Sequence, residues 1–126
     1  MFTITSNCSS SSARSGTITT DHEIIETPFF MPIATYGAVK TQSSLEIKNL
    51  PSQILLSNSY HLYMRPGTEI LEAAGGLHKF MNWDGIILTD SGGYQVFSLQ
   101  GMRKITADGV TFQSHLDGSY HHFTPE

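Results

Sequence analysis

Gly85-Ile86-Ile87-Leu88 is an apolar run without polar alternation, and it stops on Thr89-Asp90-Ser91-Gly92-Gly93-Tyr94-Gln95. A strand with no polar face must be covered on both sides, which is the habit of parallel sheets flanked by helices. In open α/β sheets and in barrels, ligands sit beyond the carboxyl ends of such strands. Asp90 therefore falls where chemistry is expected. Gly92 and Gly93 lack a Cβ and admit a flat ligand closely, and Tyr94 offers a stacking face. Asp-Ser-Gly-Gly is also an ordinary turn, in which the Asp and Ser side chains cap backbone amides and the glycines take positive φ. The local pattern supports both readings.

Two earlier segments repeat the theme. Phe29 to Ala34 reads as a buried strand ending in Thr35-Tyr36-Gly37, with Pro32 marking an edge or bulge. Ile54-Leu55-Leu56 reads as a second, ending in Ser57-Asn58-Ser59-Tyr60-His61. Between them Ser43 and Glu46 have capping-box spacing, and Pro51 closes the helix they start. Thr68 is placed to cap a helix over Glu69 to Ala74 that Gly75-Gly76 stops. The order β, α, β, α, β predicts an α/β fold whose connections suit right-handed crossovers.

Before this core, residues 1–16 form a polar lead-in with a short edge strand over Phe2 to Thr5 and a loose loop at Ser9 to Ser12. Thr17 to Thr20 and Glu23 to Thr27 then predict a hairpin around Asp21-His22. After Phe97 the pattern turns to alternation. Val110 to His115 and Tyr120 to Phe123 flank Asp117-Gly118, a second hairpin, and Thr124-Pro125-Glu126 has the chemistry of a helix start. Three parallel strands leave an edge that wants a fourth, so the 126 residues read as a single partial domain, with 17–126 its main body.

The formal net charge of −4 gives no general attraction for a polyanion. Arg103-Lys104 is the one local basic spot and reads as a solvated loop. Cys8 is alone in a Ser-rich segment, which excludes a disulfide framework and a zinc pattern within this chain and suits a reducing cytoplasm. No secretory signal and no membrane-spanning apolar run are seen, so membrane partners are not expected. Among the histidines, His78 reads as a loop or packing residue. His115 and Asp117 are better explained by the turn than by a metal, and His121 and His122 point to opposite faces of a strand.

Phe30-Met31-Pro32, Ser57 to Leu62, Arg65-Pro66-Gly67, Gly75 to His78, Leu88 to Gln95 and Asp117-Gly118 occur together and in order. In these motifs the chain resembles the tRNA-guanine transglycosylase, or queuine tRNA-ribosyltransferase, family over about residues 13–126, corresponding to the family's N-terminal third. The resemblance implies the N-terminal part of a (β/α)8 TIM barrel with an N-terminal β-hairpin and a β-hairpin inserted after the third barrel strand. It also implies tRNA base exchange, in which guanine at the wobble position of the anticodon is replaced by a 7-deazaguanine, preQ1 or queuine, in queuosine biosynthesis. A downstream aspartate would attack the ribose anomeric carbon, and Asp90 would serve as acid/base and bind the base. Ser91, Gly92, Gly93 and Tyr94 would complete the base site. Asn58 and His61, at the neighbouring strand end, would orient carboxylates or contact ribose, although packing explains both equally well.

The family is homodimeric and carries zinc on three cysteines and a histidine. Those ligands and the nucleophile have no counterpart in these 126 residues, so the chain alone is expected to be inactive. The competing class is a non-catalytic base-binding or partner-subunit module of the same fold.

Overall fold

The computed structural model describes residues 1–125. It is a mixed α/β structure of three small sheets and five short helices. At its centre are two parallel strands, β4 (Ile54–Asn58) and β5 (Ile86–Asp90), paired in register from Ile54 opposite Ile86 to Asn58 opposite Asp90. The expected Phe29 to Ala34 strand is reduced to one parallel bridge between Ile33 and Leu56. Proline explains the loss, because Pro28 and Pro32 have no amide to donate to a ladder. Two bonds remain, Leu56 N to Pro32 O at 3.0 Å and Ala34 N to Leu56 O at 2.6 Å. The parallel order is nevertheless sequential, with residue 33, β4 and β5 side by side.

The N-terminal end of the parallel strands is plugged. β1 (Phe2–Asn7), β2 (Arg14–Thr19) and β3 (Ile24–Thr27) form an antiparallel sheet, in which the expected edge strand pairs with the expected hairpin. From β3 Ile25 packs on Ile54 and Ile86, the first residues of β4 and β5, with Ile18, Phe29 and Met31 around them. Gly16 in β2 permits this sheet, since a Cβ there would lie 2.7 Å from the Phe2 ring.

Helix α1 (Ser44–Lys48) starts as expected, with the Ser43 hydroxyl accepting from the Glu46 amide and the Glu46 carboxylate accepting from Ser43 N at 2.7 Å. Ile47 from α1 joins Ala34, Leu55, Met81 and Trp83 in a core cluster on one face of β4. Trp83 satisfies its buried indole N–H on Ile86 O at 3.1 Å. Helix α3 (Thr68–Ala73) begins after Gly67, and the Thr68 side chain does not cap it. Two helices that the sequence pattern did not suggest appear nearby. They are α2 (Ser59–Met64), directly after β4, and α4 (Leu77–Met81), which turns His78 inward to bond Gly85 O at 3.1 Å.

At the opposite end α5 (Gly93–Ser98) follows β5, and β6 (Arg103–Thr106), β7 (Gly109–Gln113) and β8 (Tyr120–Phe123) form an antiparallel sheet. The hairpin expected after Phe97 is thus three-stranded. Arg103-Lys104 lies in β6 rather than in a loop, and the Arg103 guanidinium rests 4.6 Å from the Phe97 ring centre. Phe112, with no exposed surface, joins Tyr60, Val96 and Leu99 in a cluster that fastens this sheet to α2 and α5. β5 is less covered than its sequence suggests: Ile86 is buried, but Leu88, two residues on along the same face, is 42% exposed, and β5 pairs only with β4 among the described residues. Thr124 and Pro125 lie outside helices and strands, and Glu126, the last residue of the expected helix start, falls outside the described residues.

Two outcomes follow from this packing. Phe112→Ala empties a fully buried ring site and should lower unfolding free energy by about 3–5 kcal/mol in denaturant titration. In the β7–β8 connection, hydrogen bonds from the Ser119 hydroxyl, from Ser114 and from the Ser119 amide hold the Asp117 carboxyl at about 2, below its ordinary 3.8. A depressed carboxyl stabilises above its unfolded pKa and loses that contribution as pH falls through the folded value. Thermal melts between pH 4 and pH 2 should therefore show a stability loss that Asp117→Asn diminishes.

Candidate active site

Asp90 ends β5 half-buried, and Asn58 ends β4 beside it. The Asn58 side-chain amide donates to both Asp90 oxygens, each at 2.8 Å, and the Gly92 amide donates to Asp90 Oδ1 at 2.8 Å. Asn58 is also the N-cap of α2: its Oδ1 accepts from His61 N at 3.0 Å. One asparagine thus uses its acceptor on a helix start and its donors on a carboxylate, and Asp90 Oδ2 keeps capacity for a further partner. Amides rather than an ion pair hold the carboxylate, since the lining of the adjacent cleft contains no Lys or Arg.

That cleft has a volume of about 180 Å³, and Asn58, His61, Asp90 and Gln95 bring polar groups to it, with Ile33 and Leu56 supplying apolar wall. It is smaller than the roughly 300–1,000 Å³ of drug-sized sites, a scale suited to a flat ring system. His61 also meets the Tyr36 ring edge-on, with centroids 5.0 Å apart.

The residues expected in one site divide into two groups. Asn58, His61 and Asp90 share the cleft. Ser91 and Gly93 instead line a cavity of about 420 Å³ bounded by Val96, Phe97, Arg103 and Phe123. Tyr94 stands on α5 at 78% exposure and lines neither. Gly92 is the partition between them: its φ is 69°, and a Cβ there would lie 2.5 Å from Tyr60 Cβ. Gln95, Thr35 and Ser57 are lining residues that sequence reasoning did not assign. The signal for Gln95 is helical spacing, because the first turn of α5 folds it back toward Asp90.

The remaining candidates have structural partners. His115 Nδ1 meets the Tyr60 hydroxyl at 3.0 Å, His121 Nδ1 meets the Tyr63 hydroxyl at 3.0 Å, and His122 Nδ1 meets Thr111 on the other face at 3.0 Å. Burial, with a smaller contribution from Tyr36, raises the Tyr60 hydroxyl above its ordinary pKa, which keeps it a donor. Among the described residues no three His, Cys, Asp or Glu side chains are grouped to hold a metal ion.

A carboxylate at a parallel strand end, aimed by a neighbouring amide into a small cleft, is equipped to move a proton to or from a bound ligand. Known proteins narrow that class. The family model for queuine tRNA-ribosyltransferase matches residues 8–126. The queuine tRNA-ribosyltransferase of Thermoanaerobacter pseudethanolicus is 62% identical over 118 residues, covering 94% of this chain and 32% of that protein. Those of Caldanaerobacter subterraneus and Desulforudis audaxviator are 61% and 54% identical, covering 90% and 100% of this chain. The chain spans about a third of the length of these curated relatives. It belongs to the queuine tRNA-ribosyltransferase family.

Gly92→Ala would strain a left-handed backbone position and press a methyl group on Tyr60. Its expected cost in a denaturant titration is about 1–3 kcal/mol, with loss of protection from solvent exchange at the residue-92 amide.

Proposed function

We propose that this chain contributes the acid/base carboxylate and part of the base pocket for exchange of guanine in tRNA by a 7-deazaguanine, preQ1 or queuine. The observation that carries the reading is Asp90, held by Asn58 at the end of β5, in a chain matched to the family over residues 8–126. In this reading residue 33, β4 and β5 open a (β/α)8 barrel, and the antiparallel sheet β6–β8 is an insertion after the third barrel strand.

The chemistry assigned to Asp90 follows from charge. When the glycosidic bond to guanine breaks, the departing base gains electron density, and a proton from the carboxyl makes it a better leaving group. The incoming base is a better nucleophile when it gives a proton up, and the same carboxylate, now ionised, accepts it. One group thus serves both half-reactions and ends as it began. His61 and Gln95 fit contacts to the base or ribose edge from the cleft wall. Because a ribose carbon is not reached inside a stacked helix, the target nucleotide is flipped out. Tyr94, exposed on α5, is assigned to cover its face.

The carbon-attacking aspartate is assigned to the part of the family's polypeptide that these residues do not include. Zinc is assigned there too: the residues here do not fit a zinc site, with Cys8 exposed and alone and His115, His121 and His122 bonded to Tyr60, Tyr63 and Thr111. Among the described residues no helix is long and apolar enough to cross a membrane, and we place the reaction in the cytoplasm with tRNA.

The test is incorporation of radiolabelled guanine into tRNA by this chain, alone and mixed with the remaining two-thirds of a relative as a second polypeptide. Labelling is expected only in the mixture, and Asp90→Asn should reduce it by about 100-fold or more. Labelling that Asp90→Asn leaves unchanged would remove Asp90 from its role. No labelling, with base binding retained in equilibrium dialysis, would favour a non-catalytic base-binding module.

A further inference from the structure

Tyr60 sits at the joint between the Asp90 turn and the antiparallel sheet. It is 2% exposed, it follows Asn58 by two residues, and its Cβ and amide lie against Gly92, whose own amide bonds Asp90. There is no slack at that contact, since even a methyl group on Gly92 would overlap Tyr60. On the other side the Tyr60 ring packs on Phe112, with centroids 5.6 Å apart, and its hydroxyl meets His115 Nδ1 at 3.0 Å. His115 lies just beyond β7 and does not line the Asp90 cleft.

We infer that His115 is a positioning residue for Asp90, acting through the Tyr60 hydroxyl. Its meaning for catalysis rests on the transglycosylase reading above. Without the bond to His115 the Tyr60 ring is held by packing alone, and a hydroxyl left buried without its partner must also shift toward another acceptor or stay unsatisfied. Any shift of Tyr60 moves the first turn of α2, which carries Asn58, and presses on Gly92. Both are donors to Asp90. The antiparallel sheet therefore sets the aim of a carboxylate it never touches. A second tie, from the Tyr63 hydroxyl to His121 Nδ1, secures the far end of α2 to the same sheet. His121 Nε2 in turn meets Ser119 Oγ at 2.7 Å, so that end is braced independently of His115.

The experiment is nitrogen-15 NMR on this chain, reading solvent exchange of the Asn58 side-chain amide and the Gly92 backbone amide. Tyr60→Phe removes only the hydroxyl, His115→Leu removes only its partner, and His115→Asn restores an acceptor near the Nδ1 position. Exchange at both amides should rise about tenfold or more in each of the first two variants, because local opening is what amide exchange reports. It should rise no further in the double variant and return toward the parent rate in His115→Asn. Unchanged exchange in Tyr60→Phe and His115→Leu would overturn the inference. So would an equal rise at the Trp83 indole N–H in the opposite core cluster, which signals general loosening. Amide exchange needs no turnover, so it separates loss of this coupling from loss of the transglycosylase assignment.

Discussion

The Asn58 side chain joins three parts of the molecule with one amide group. Its two bonds to Asp90 tie the carboxyl ends of β4 and β5 together, and its bond from His61 N starts α2. Register depends on this point as much as on apolar packing. A slip of one residue between the strands would put a serine opposite Asp90 and turn alternate side chains to the wrong face. The carboxylate is thus placed by the same contact that places the helix, and a change to either is felt by both.

The two antiparallel sheets have opposite duties around this centre. The β1–β3 sheet closes the apolar bottom, where Ile25 packs over Ile54 and Ile86. The β6–β8 sheet stands at the polar top, where Phe112 and Tyr60 form a hydrophobic buttress behind the Asp90 turn. Asn58 and Gly92, the two supports of Asp90, are themselves buried, while the carboxylate faces the cleft. That division lets a polar group sit at the end of a buried strand without solvent reaching its supports.

Much of this was legible in the amino-acid order. Apolar runs ending in Asn58 and Asp90 marked the strand ends, and the Ser43–Glu46 spacing marked a helix start that the structure bears out. Three features escaped. The run around Phe30 is apolar enough to read as a full strand, but Pro32 within it has no donor for the ladder and only the Ile33 bridge forms. Helices α2, α4 and α5 escape the sequence pattern because each is too short to show a helical period, and buried contacts at Tyr60, Met81 and Val96 supply what the pattern cannot. Ser91 and Gly93 were grouped with Asp90 by adjacency in sequence, whereas the left-handed Gly92 turns them to the other side of the partition.

The incompletely covered β5 has a consequence for handling the polypeptide. Its outer face shows Leu88, and its outer edge has no ladder partner among the described residues. The neighbouring cavity, about 420 Å³, is walled by Val96, Phe97, Ile105, Val110 and Phe123. An unpaired apolar strand edge beside an apolar hollow invites pairing with any other extended chain. In concentrated solution, self-association along β5 would compete with whatever partner normally lies there, so colloidal behaviour becomes a direct report on how well that edge is covered.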